Sequence, residues 1–301
     1  MKCWRIKLRL TSPSGTPWQS DTVFGHLCWQ VVYGALDMSI DDFLAPFRDG
    51  KPPFVLSDGL PEGYMPRPMF DLDFPEAKTV EDYARFKAWK KAKFITFADF
   101  LRICNGENPL DKPAGDPWMS TMTPHASIDR GSLSVSDEGG FYETVSHSLS
   151  DFEHLDVYFR AEGDWTDRVV ALFEGMSMSG FGRDKSTGLG AFLVSRIEEV
   201  RDFDDVESPS GFVSISSVVP AVDDPTNARY RLRTKYGKLG EGVFSNPFKR
   251  PVLQMEPGAV FYTTGEVRPI CGRLVEDIAP GMPEAVQNCY GLAVGFSLPK
   301  E

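Results

Sequence analysis

Cysteine and histidine are scarce in this sequence, and neither has the spacing of a metal site. The five cysteines stand at positions 3, 28, 104, 271 and 289, without a Cys-x-x-Cys pair. The four histidines, at 26, 125, 147 and 154, show no ligand spacing either. Scattered cysteines favour reduced thiols in a cytoplasm over a disulfide framework or a zinc site. We therefore expect no metal, no other cofactor and a cytoplasmic location.

Long apolar runs are also absent, and none approaches the length that crosses a bilayer. The first residues, Met1-Lys2-Cys3-Trp4-Arg5, lead into a strand pattern rather than the apolar centre of a signal peptide. We expect no contact with a membrane. The 301 residues provide enough material for one large domain or two modest ones.

Positive charge is in the minority, and the net charge is −11. This argues against a nucleic-acid binder that works by bulk attraction. The charge is uneven, however. Residues 198–207 carry six acidic side chains against Arg201 alone, whereas residues 229–250, here called the basic segment, carry seven basic side chains against Glu241 alone. The basic segment can hold RNA locally, while the acidic remainder can face partner proteins.

A glycine-rich loop at residues 180–190 is the most informative stretch that is present. It lies between a helical pattern at 166–178 and a strand-like run at 191–194. Its glycines, Gly180, Gly182, Gly188 and Gly190, permit positive φ and close approach of another backbone. Arg183 and Lys185 add positive charge, and Ser186 adds a hydroxyl. A loop of this composition suits a phosphodiester, but it also suits a tight turn with solvated charges.

The familiar phosphate-binding motifs do not match this loop. A Walker loop needs glycine before its lysine, and Asp184 precedes Lys185 here. The dinucleotide and kinase fingerprints need a third glycine where Lys185 stands, and the dinucleotide loop follows a strand rather than a helix. A nucleotide-binding enzyme is therefore disfavoured.

Periodicity along the chain predicts a ferredoxin-like order of elements. Residues 3–10 alternate between apolar and basic side chains, which predicts a half-buried strand whose basic face is solvated or forms a nucleic-acid platform. A helix begins within residues 20–27 and is capped by Ser20 or Asp21, with a buried stripe and with His26 off that stripe as an exposed residue. The predicted stripe is Val23, Phe24, Leu27, Cys28, Val31 and Val32.

Further elements follow from caps, turns and alternation. Ser39 caps a helix at 40–47, and Thr79 and Thr96 cap one or two helices within 79–104. Residues 51–74 and 105–124 are predicted as long loops that hold a partner or ligand. Residues 132–135 and 141–145 form a hairpin around 137–140, either within a sheet or projecting, and 155–159 form a strand. Without the insertions this is a βαββαβ unit.

The second half is predicted to be mostly β. Strands are expected at 212–216, 230–234, 251–255, 260–267 and 290–298, with one short helix near 283–287. Residues 202–210 form the predicted linker. The fold class is thus α+β, with an N-terminal ferredoxin-like domain over residues 1–200 and a degenerate ferredoxin-like domain over 211–301.

Several motifs in order along the chain resemble one family. They are Ser20-Asp21-Thr22-Val23-Phe24-Gly25, the Asp129-Arg130 turn, the glycine loop, Tyr236-Gly237-Lys238-Leu239-Gly240 with Phe248-Lys249-Arg250-Pro251, and Tyr290-Gly291-Leu292-Ala293-Val294-Gly295. Together they are similar to the RAMP proteins of type III-A CRISPR effectors, specifically subunit 4 of the Csm complex, the Cas5-like member. The resemblance spans nearly the whole chain.

The resemblance implies two ferredoxin-like RAMP domains with a projecting thumb hairpin. It implies an antiviral ribonucleoprotein in which this subunit binds the 5′ repeat tag of the guide RNA (crRNA). It also implies docking against the large polymerase-like (Cas10-type) subunit and a Cas7-like backbone subunit. Members of this group are not catalytic, so we expect no enzymatic activity and no catalytic residue.

The expected RNA-binding residues combine the resemblance with their chemistry. In the glycine loop, four glycines supply backbone approach and Arg183, Lys185 and Ser186 supply phosphate contacts. In the basic segment, Tyr236 and Phe248 are available to stack on bases. The remaining expected contacts are Arg130, Lys235, Lys238, Lys249 and Arg250. The alternative is a RAMP-type endoribonuclease that processes guide RNA with His26 as general base, although nothing in the sequence supplies a second group.

Overall fold

The structure is a computed structural model that describes residues 1–69, 79–108, 113, 115–135, 140–150, 153–206, 209–240 and 246–298. The α-helices in these residues are α1 (Ser20–Val32), α2 (Ile40–Arg48), α3 (Val80–Lys91), α4 (Phe97–Cys104) and α5 (Trp165–Ser179). The strands are β1 (Lys2–Leu10), β2 (Phe54–Leu56), β3 (Leu60–Pro61), β4 (Tyr64–Pro66), β5 (Phe94–Thr96), β6 (Trp118–Ala126), β7 (Phe141–Leu149), β8 (His154–Ala161), β9 (Phe192–Val200), β10 (Gly211–Ser214), β11 (Ala228–Arg229), β12 (Leu232–Lys235), β13 (Val252–Met255), β14 (Val260–Tyr262), β15 (Ile270–Val275) and β16 (Gln287–Phe296).

The first sheet has the ferredoxin-like strand order that the sequence predicts. Its order is β2-β8-β1-β9, with β3 also paired to β8. Strand β1 is antiparallel to both of its neighbours. Helix α1 follows β1, and α5 joins β8 to β9. This is the split βαβ arrangement, with α1 and α5 packed against each other.

Both faces of the first sheet are covered at β8. Strand β8 is buried on both sides, because Asp156, Tyr158 and Arg160 are buried as well as the apolar residues between them. Helix α4 causes this, because its Phe97 ring lies 6.3 Å from the Tyr158 ring. Phe203, within the predicted linker, is also buried against Tyr158.

Two of the basic side chains of β1 are neutralised inside the chain. Arg5 forms ion pairs with Glu198 and, at 3.8 Å, with Asp156. The Lys7 ammonium lies 2.5 Å from a carboxylate oxygen of Glu62. Arg5 and Lys7 are therefore used within the chain, whereas Arg9 on the same face is exposed.

The predicted helix caps are confirmed where the signal is local. The side chains of Ser39, Thr79 and Thr96 each accept the backbone N–H three residues on, at 3.1 Å. Helix α1 begins at Ser20, but Gln19 occupies the N-cap without a side-chain bond, and Ser20 and Asp21 lie in the first turn.

The two predicted long loops contain strands. Residues 51–69 include β2 to β4, and β6 begins at Trp118 within the second predicted loop. Strand β6 is the partner of β7, so the hairpin is longer than predicted and residues 132–135 contribute only the Ile128–Val135 bridge to its outer end. Residues 136–139, most of the predicted turn, lie outside the described residues.

The β6–β7 hairpin projects from the rest of the molecule. Eight of the nine side chains of β6 are exposed, and its two strands form a sheet of their own. An isolated bridge between Ser14 and His147 attaches its base. This hairpin corresponds to the expected thumb.

The second sheet has the order β11-β14-β10-β16-β15, and β12 pairs with β13 beside it. All five predicted strand regions of the second half contain strand, whereas β15 was not predicted. The predicted helix near 283–287 is wrong: the described residues after α5 contain no α-helix, only 3-10 turns at Lys185–Thr187 and Asp202–Asp204, and β16 already begins at Gln287. One apolar cluster runs through both sheets. The division into domains at 200 and 211 stays a prediction.

Candidate functional site

The glycine loop is closed on itself by backbone bonds and an aromatic anchor. Helix α5 is followed by its C-cap residue Gly180, whose φ is +78°. The Phe181 N–H donates to the Gly190 carbonyl at 2.9 Å, and a Cβ at Gly190 would collide with the Phe181 carbonyl oxygen. Phe181 itself is fully buried and stacks on Trp18 with 3.9 Å between ring centroids. Gly180 and Gly190 thus let the chain approach itself.

Residues 11–19, here called the connecting segment, hold the loop from the other side. The Gly190 N–H donates to the Pro13 carbonyl at 2.7 Å, and the Arg183 N–H donates to the Thr16 hydroxyl at 3.0 Å. A Cβ at Gly182 would lie 2.9 Å from the Thr16 Cβ. The connecting segment also carries Ser14, which pairs with the base of the hairpin. The loop and the hairpin are therefore positioned by the same nine residues.

His26 supports the loop from α1. Its Nε2 accepts the Gly182 N–H at 3.0 Å, and its ring centroid lies 5.0 Å from that of Phe181. Burial, and secondarily the charge of Lys185, lowers the pKa of His26 to about 4. The expectation of an exposed histidine is wrong. A neutral ring bonded in this way carries its proton on Nδ1.

The charged residues of the loop divide between internal contacts and solvent. The Arg183 guanidinium donates to the Val145 carbonyl of β7 at 2.9 Å and lies 3.0 Å from the Asp184 carboxylate, yet half of its side chain is exposed. Burial lowers the pKa of Lys185. Ser186 and Gly188 are exposed, and a Cβ at Gly188 would meet nothing within 4 Å. The open part of the loop is thus residues 186–188 and the Arg183 side chain.

Lys235, from the basic segment, is used inside the chain. Its ammonium donates to the Thr22 hydroxyl at 2.7 Å, to Gln19 and to the Asp21 carboxylate at 3.3 Å. Asp21 is buried, and its other oxygen accepts from Gln254 at 3.0 Å and from Gln287. Burial opposes the ionisation of Asp21, but Lys235 and the hydrogen bonds outweigh it and lower the pKa.

The remaining residues of the basic segment are more open. Tyr236 is 76% exposed and Phe248 is 58% exposed, and the Lys238 ammonium lies 4.9 Å from the Phe248 ring centroid. The Arg250 guanidinium lies 2.5 Å from the Asp277 carboxylate but is also half exposed. Lys249 points inward instead, and its ammonium donates to the Val286 carbonyl at 3.3 Å. Burial lowers the pKa of Lys249.

Arg130 lies apart from these groups, near the outer end of the hairpin. It is exposed and follows Asp129, whose side chain accepts the N–H groups of Gly131 and Ser132 at 2.9 and 2.7 Å. These hydrogen bonds lower the pKa of Asp129. The turn presents Arg130 to solvent.

The glycine loop and the basic segment therefore meet the same short stretch of chain, residues 13–26, from different sides. The sequence did not predict that both of them contact this stretch. Its two anchors are Trp18, which holds the loop, and Asp21, which holds Lys235. The only signal was the tryptophan and the acidic residue at the start of a helix, and neither identifies its partner.

No cluster of three or more His, Cys, Asp or Glu side chains that could hold a metal occurs in the part of the chain that the structure describes. In that same part, helices long and apolar enough to span a membrane are also absent.

A ferredoxin-like sheet, a second antiparallel sheet, a glycine loop after the second helix of the first sheet and a projecting hairpin define a protein with the RAMP fold. No family model and no curated relative matches the chain by sequence. Solved structures match it over its whole length. A chain of the crystal structure of a Csm1–Csm4 cassette with pppApA superposes with a TM-score of 0.67 at 16% identity, covering 100% of both chains. A chain of the cassette with cA4 gives 0.66 at 16% identity, again with full coverage.

A third structure contains a different partner. A chain of the Csm3–Csm4 subcomplex of the type III-A CRISPR-Cas interference complex gives a TM-score of 0.61 at 14% identity, covering 99% of this chain and 100% of that chain. Csm4 is the component that these complexes share. The resemblance to subunit 4 of the Csm complex is thereby confirmed at the level of the fold.

Proposed function

We propose that this chain is a non-catalytic, Csm4-type subunit of a type III-A CRISPR effector in the cytoplasm. In this role it binds the 5′ repeat tag of the guide RNA and links the large polymerase-like subunit to the Cas7-like backbone. The observation that carries the proposal is the full-length match to chains from complexes with Csm1 and with Csm3. Both matches extend over the two sheets of this chain.

The RNA-binding part of the proposal is supported by the distribution of exposed groups. Both the glycine loop and the basic segment expose side chains that can bind RNA. These are Arg183 and Ser186 in the loop and Tyr236, Phe248 and Arg250 in the basic segment. Exposed aromatic rings beside cations are the usual equipment for single-stranded RNA. The other proposed contacts are Gly180, Gly182, Lys185, Gly188, Gly190, Arg130, Lys235, Lys238 and Lys249; among them Lys235, Lys249 and three of the glycines shape the surface from beneath.

The proposal of no catalysis is supported by the position of His26. Its Nε2, the nitrogen that would take a proton, already accepts the Gly182 N–H. A base that is occupied and has a pKa near 4 is poorly suited to proton transfer at neutral pH. The test is labelled repeat RNA incubated with the purified chain, with and without divalent metal. Cleavage that disappears in His26→Ala would favour the endoribonuclease alternative.

Assembly is tested by co-expression with Csm1-type and Csm3-type subunits and a guide RNA. We expect this chain to co-elute with both subunits and with one RNA species of discrete length. A chain that stays monodisperse and joins neither subunit would contradict the assignment.

The RNA surface is tested by charge removal in the assembled complex. We expect Arg183→Ala with Lys185→Ala, and separately Lys238→Ala with Arg250→Ala, to weaken RNA retention and reduce its salt dependence. The slope should fall by roughly 0.7 to 1 unit per phosphate contact removed. The matched control is Lys90→Ala with Arg168→Ala, which removes two cations from α3 and α5. Because Arg183 also bonds the hairpin, melting temperature is measured alongside. Retention unchanged in both pairs would refute RNA binding by these residues.

A further inference from the structure

A cavity of about 310 Å³ lies beside the glycine loop and is not used by anything described above. The connecting segment, the β4–β5 pair, the base of the hairpin and the start of the basic segment all contribute to its wall. The lining residues that matter here are Trp18, Asp58, Phe94, Trp118, Arg231 and Arg233. Its volume is at the lower end of the roughly 300–1,000 Å³ of small-molecule sites.

Two buried donors in this wall have no acceptor. The indole Nε1 of Trp18 and the Nε of Arg233 are both buried without a hydrogen-bond partner, and Trp18 is only 2% exposed. A terminal nitrogen of Arg233 donates to the Ser217 hydroxyl at 2.7 Å, which fixes the guanidinium in place. Buried polar groups are almost always paired, so two unpaired donors on residues that line a cavity point to an acceptor that the chain alone does not supply.

The acidic residues of the wall do not offset these donors. The Asp58 carboxylate is already engaged by the N–H groups of Ser20 and Ser217, each at 2.9 Å. Asp116 pairs with Lys93 at 3.5 Å. Glu256 is the remaining carboxylate of the lining, against Arg231 and Arg233. The balance favours an anionic group, with one carboxylate left to accept an amino hydrogen.

Much of the remaining wall is apolar. Phe94, Trp118, Pro66 and Leu60 line it together with the donors, so a planar ring with polar edges fits this composition. We propose that the cavity binds one nucleotide unit, with its base among the aromatic side chains and its phosphate at Arg231 and Arg233. The unit is either a residue of the bound RNA, turned out of its strand, or a free nucleotide.

An RNA nucleotide as the occupant rests on the proposed function. The cavity lies close enough to the glycine loop for a nucleotide of the bound RNA to reach it. Trp18 lines the cavity and also stacks on Phe181 of the glycine loop. Arg183 of that loop bonds the carbonyl of Val145, two residues from His147 in the cavity wall. An RNA strand bound to the glycine loop would thus pass directly beside the cavity.

The free-nucleotide source is tested on the full chain by calorimetric titration with AMP, GMP, CMP, UMP and inorganic phosphate. If the cavity takes a nucleotide, at least one monophosphate binds and Arg231→Gln weakens it roughly 10-fold or more, the usual effect of losing a charged hydrogen bond. Arg233→Gln should do the same, with melting temperature as a check because it also loses Ser217. Arg168→Gln on α5 is the matched control and should leave binding unchanged.

The RNA source is tested in the assembled complex with guide RNA that carries photoreactive thiouridine at single positions. A cross-link from one position to the peptide of Trp18 or Trp118, reduced in Arg231→Gln, identifies an RNA nucleotide as the occupant. Monophosphate binding without such a cross-link identifies a free nucleotide.

Three outcomes would overturn the proposal. They are no monophosphate binding together with no cross-link, binding that inorganic phosphate reproduces with equal affinity, and binding that is indifferent to both arginine variants. Failure of the proposed function shows up separately, as a complex that retains no guide RNA at all, and leaves the titration arm intact.

Discussion

His26 bonds the glycine loop only while its ring is neutral. Protonation would place a hydrogen on Nε2, which faces the Gly182 N–H, so the bond would become a repulsion. The pKa is lowered from 6.5 to about 4 in the folded chain, chiefly by burial. As pH falls, the unfolded chain therefore takes up this proton first. The stabilisation is complete above about pH 6.5 and is lost as pH falls through about 4.

We expect His26→Gln to remove part of this pH dependence. Glutamine can present an acceptor oxygen near the position of Nε2 but does not titrate. Between pH 7 and pH 4.5, the melting temperature of the wild-type chain should fall further than that of the variant. His154→Gln, at a half-buried histidine beside Glu62, is the control. An equal fall in melting temperature with pH for the wild type and His26→Gln would show that the histidine does not stabilise the loop through this bond.

Single residues were predictable from sequence when their partners are near in the chain. The caps Ser39, Thr79 and Thr96 bond three residues on, and a cap signal has that range. Lys235 was identified as a cation, but its partners at Gln19, Asp21 and Thr22 lie more than 200 residues away. A pattern in one sequence carries no information on such a pairing.

The glycine loop contains glycines of two kinds. Gly190 has a φ of +69° and no room for a Cβ, because the Phe181 carbonyl occupies that place. Gly188 has a φ of +103°, but the space around it is open. The first kind is needed for the chain to close on itself. The second is free to admit a ligand backbone.

This difference predicts opposite effects of alanine at the two positions. Gly188→Ala should lower the free energy of unfolding by about 1–2 kcal/mol, the cost of a left-handed non-glycine residue. Gly190→Ala should cost more, because the clash adds to the same strain. Chemical denaturation measures both. If the glycine loop contacts RNA, Gly188→Ala should also weaken guide retention beyond its effect on stability. Equal destabilisation at the two positions would contradict the packing described for Gly190.

At the level of elements, the sequence predicted the first sheet well and the hairpin poorly. The alternation of apolar and polar residues in β1 and β8, together with the helical periodicity of α1 and α5, identified the ferredoxin-like order. Strand β6 was missed because Pro124 and neighbouring turn residues resemble a loop, and the strand needs no buried face when it projects into solvent. Strand β15 was missed because Gly272 and Arg273 interrupt its apolar run, Gly272 having a φ of +80° beside Val218 and Cys289.

The two sheets are joined by buried carboxylates near the start of α1. Asp21 bonds Lys235, Gln254 and Gln287 of the second half, and Asp58 bonds the N–H and hydroxyl of Ser217. Because these bonds are buried, separating the halves would leave charges unpaired. The whole molecule should therefore unfold as one unit.

Asp21→Asn tests this coupling. It leaves the Lys235 ammonium without its charge partner, and removing one member of a buried pair typically costs about 3–5 kcal/mol. The same substitution at Asp277, which pairs with Arg250 on the surface, should cost no more than about 1 kcal/mol. Urea denaturation should show one transition for the wild-type chain. Two separate transitions, or equal effects of both substitutions, would show that the halves are not coupled through Asp21.

The central position of β1 has a consequence for how the chain emerges from the ribosome. Strand β1 is synthesised first, yet its two neighbours are β8 and β9. Lys2 therefore cannot pair until Ala161 has been synthesised, and Leu10 cannot pair until Phe192 has been synthesised. Asp21 waits longer still, for Gln287, 266 residues later. Contacts this distant form slowly, and the apolar face of β1 stays unsatisfied during most of translation. Nascent chains stalled before residue 200 should therefore remain bound to chaperones, and release should follow synthesis of β16.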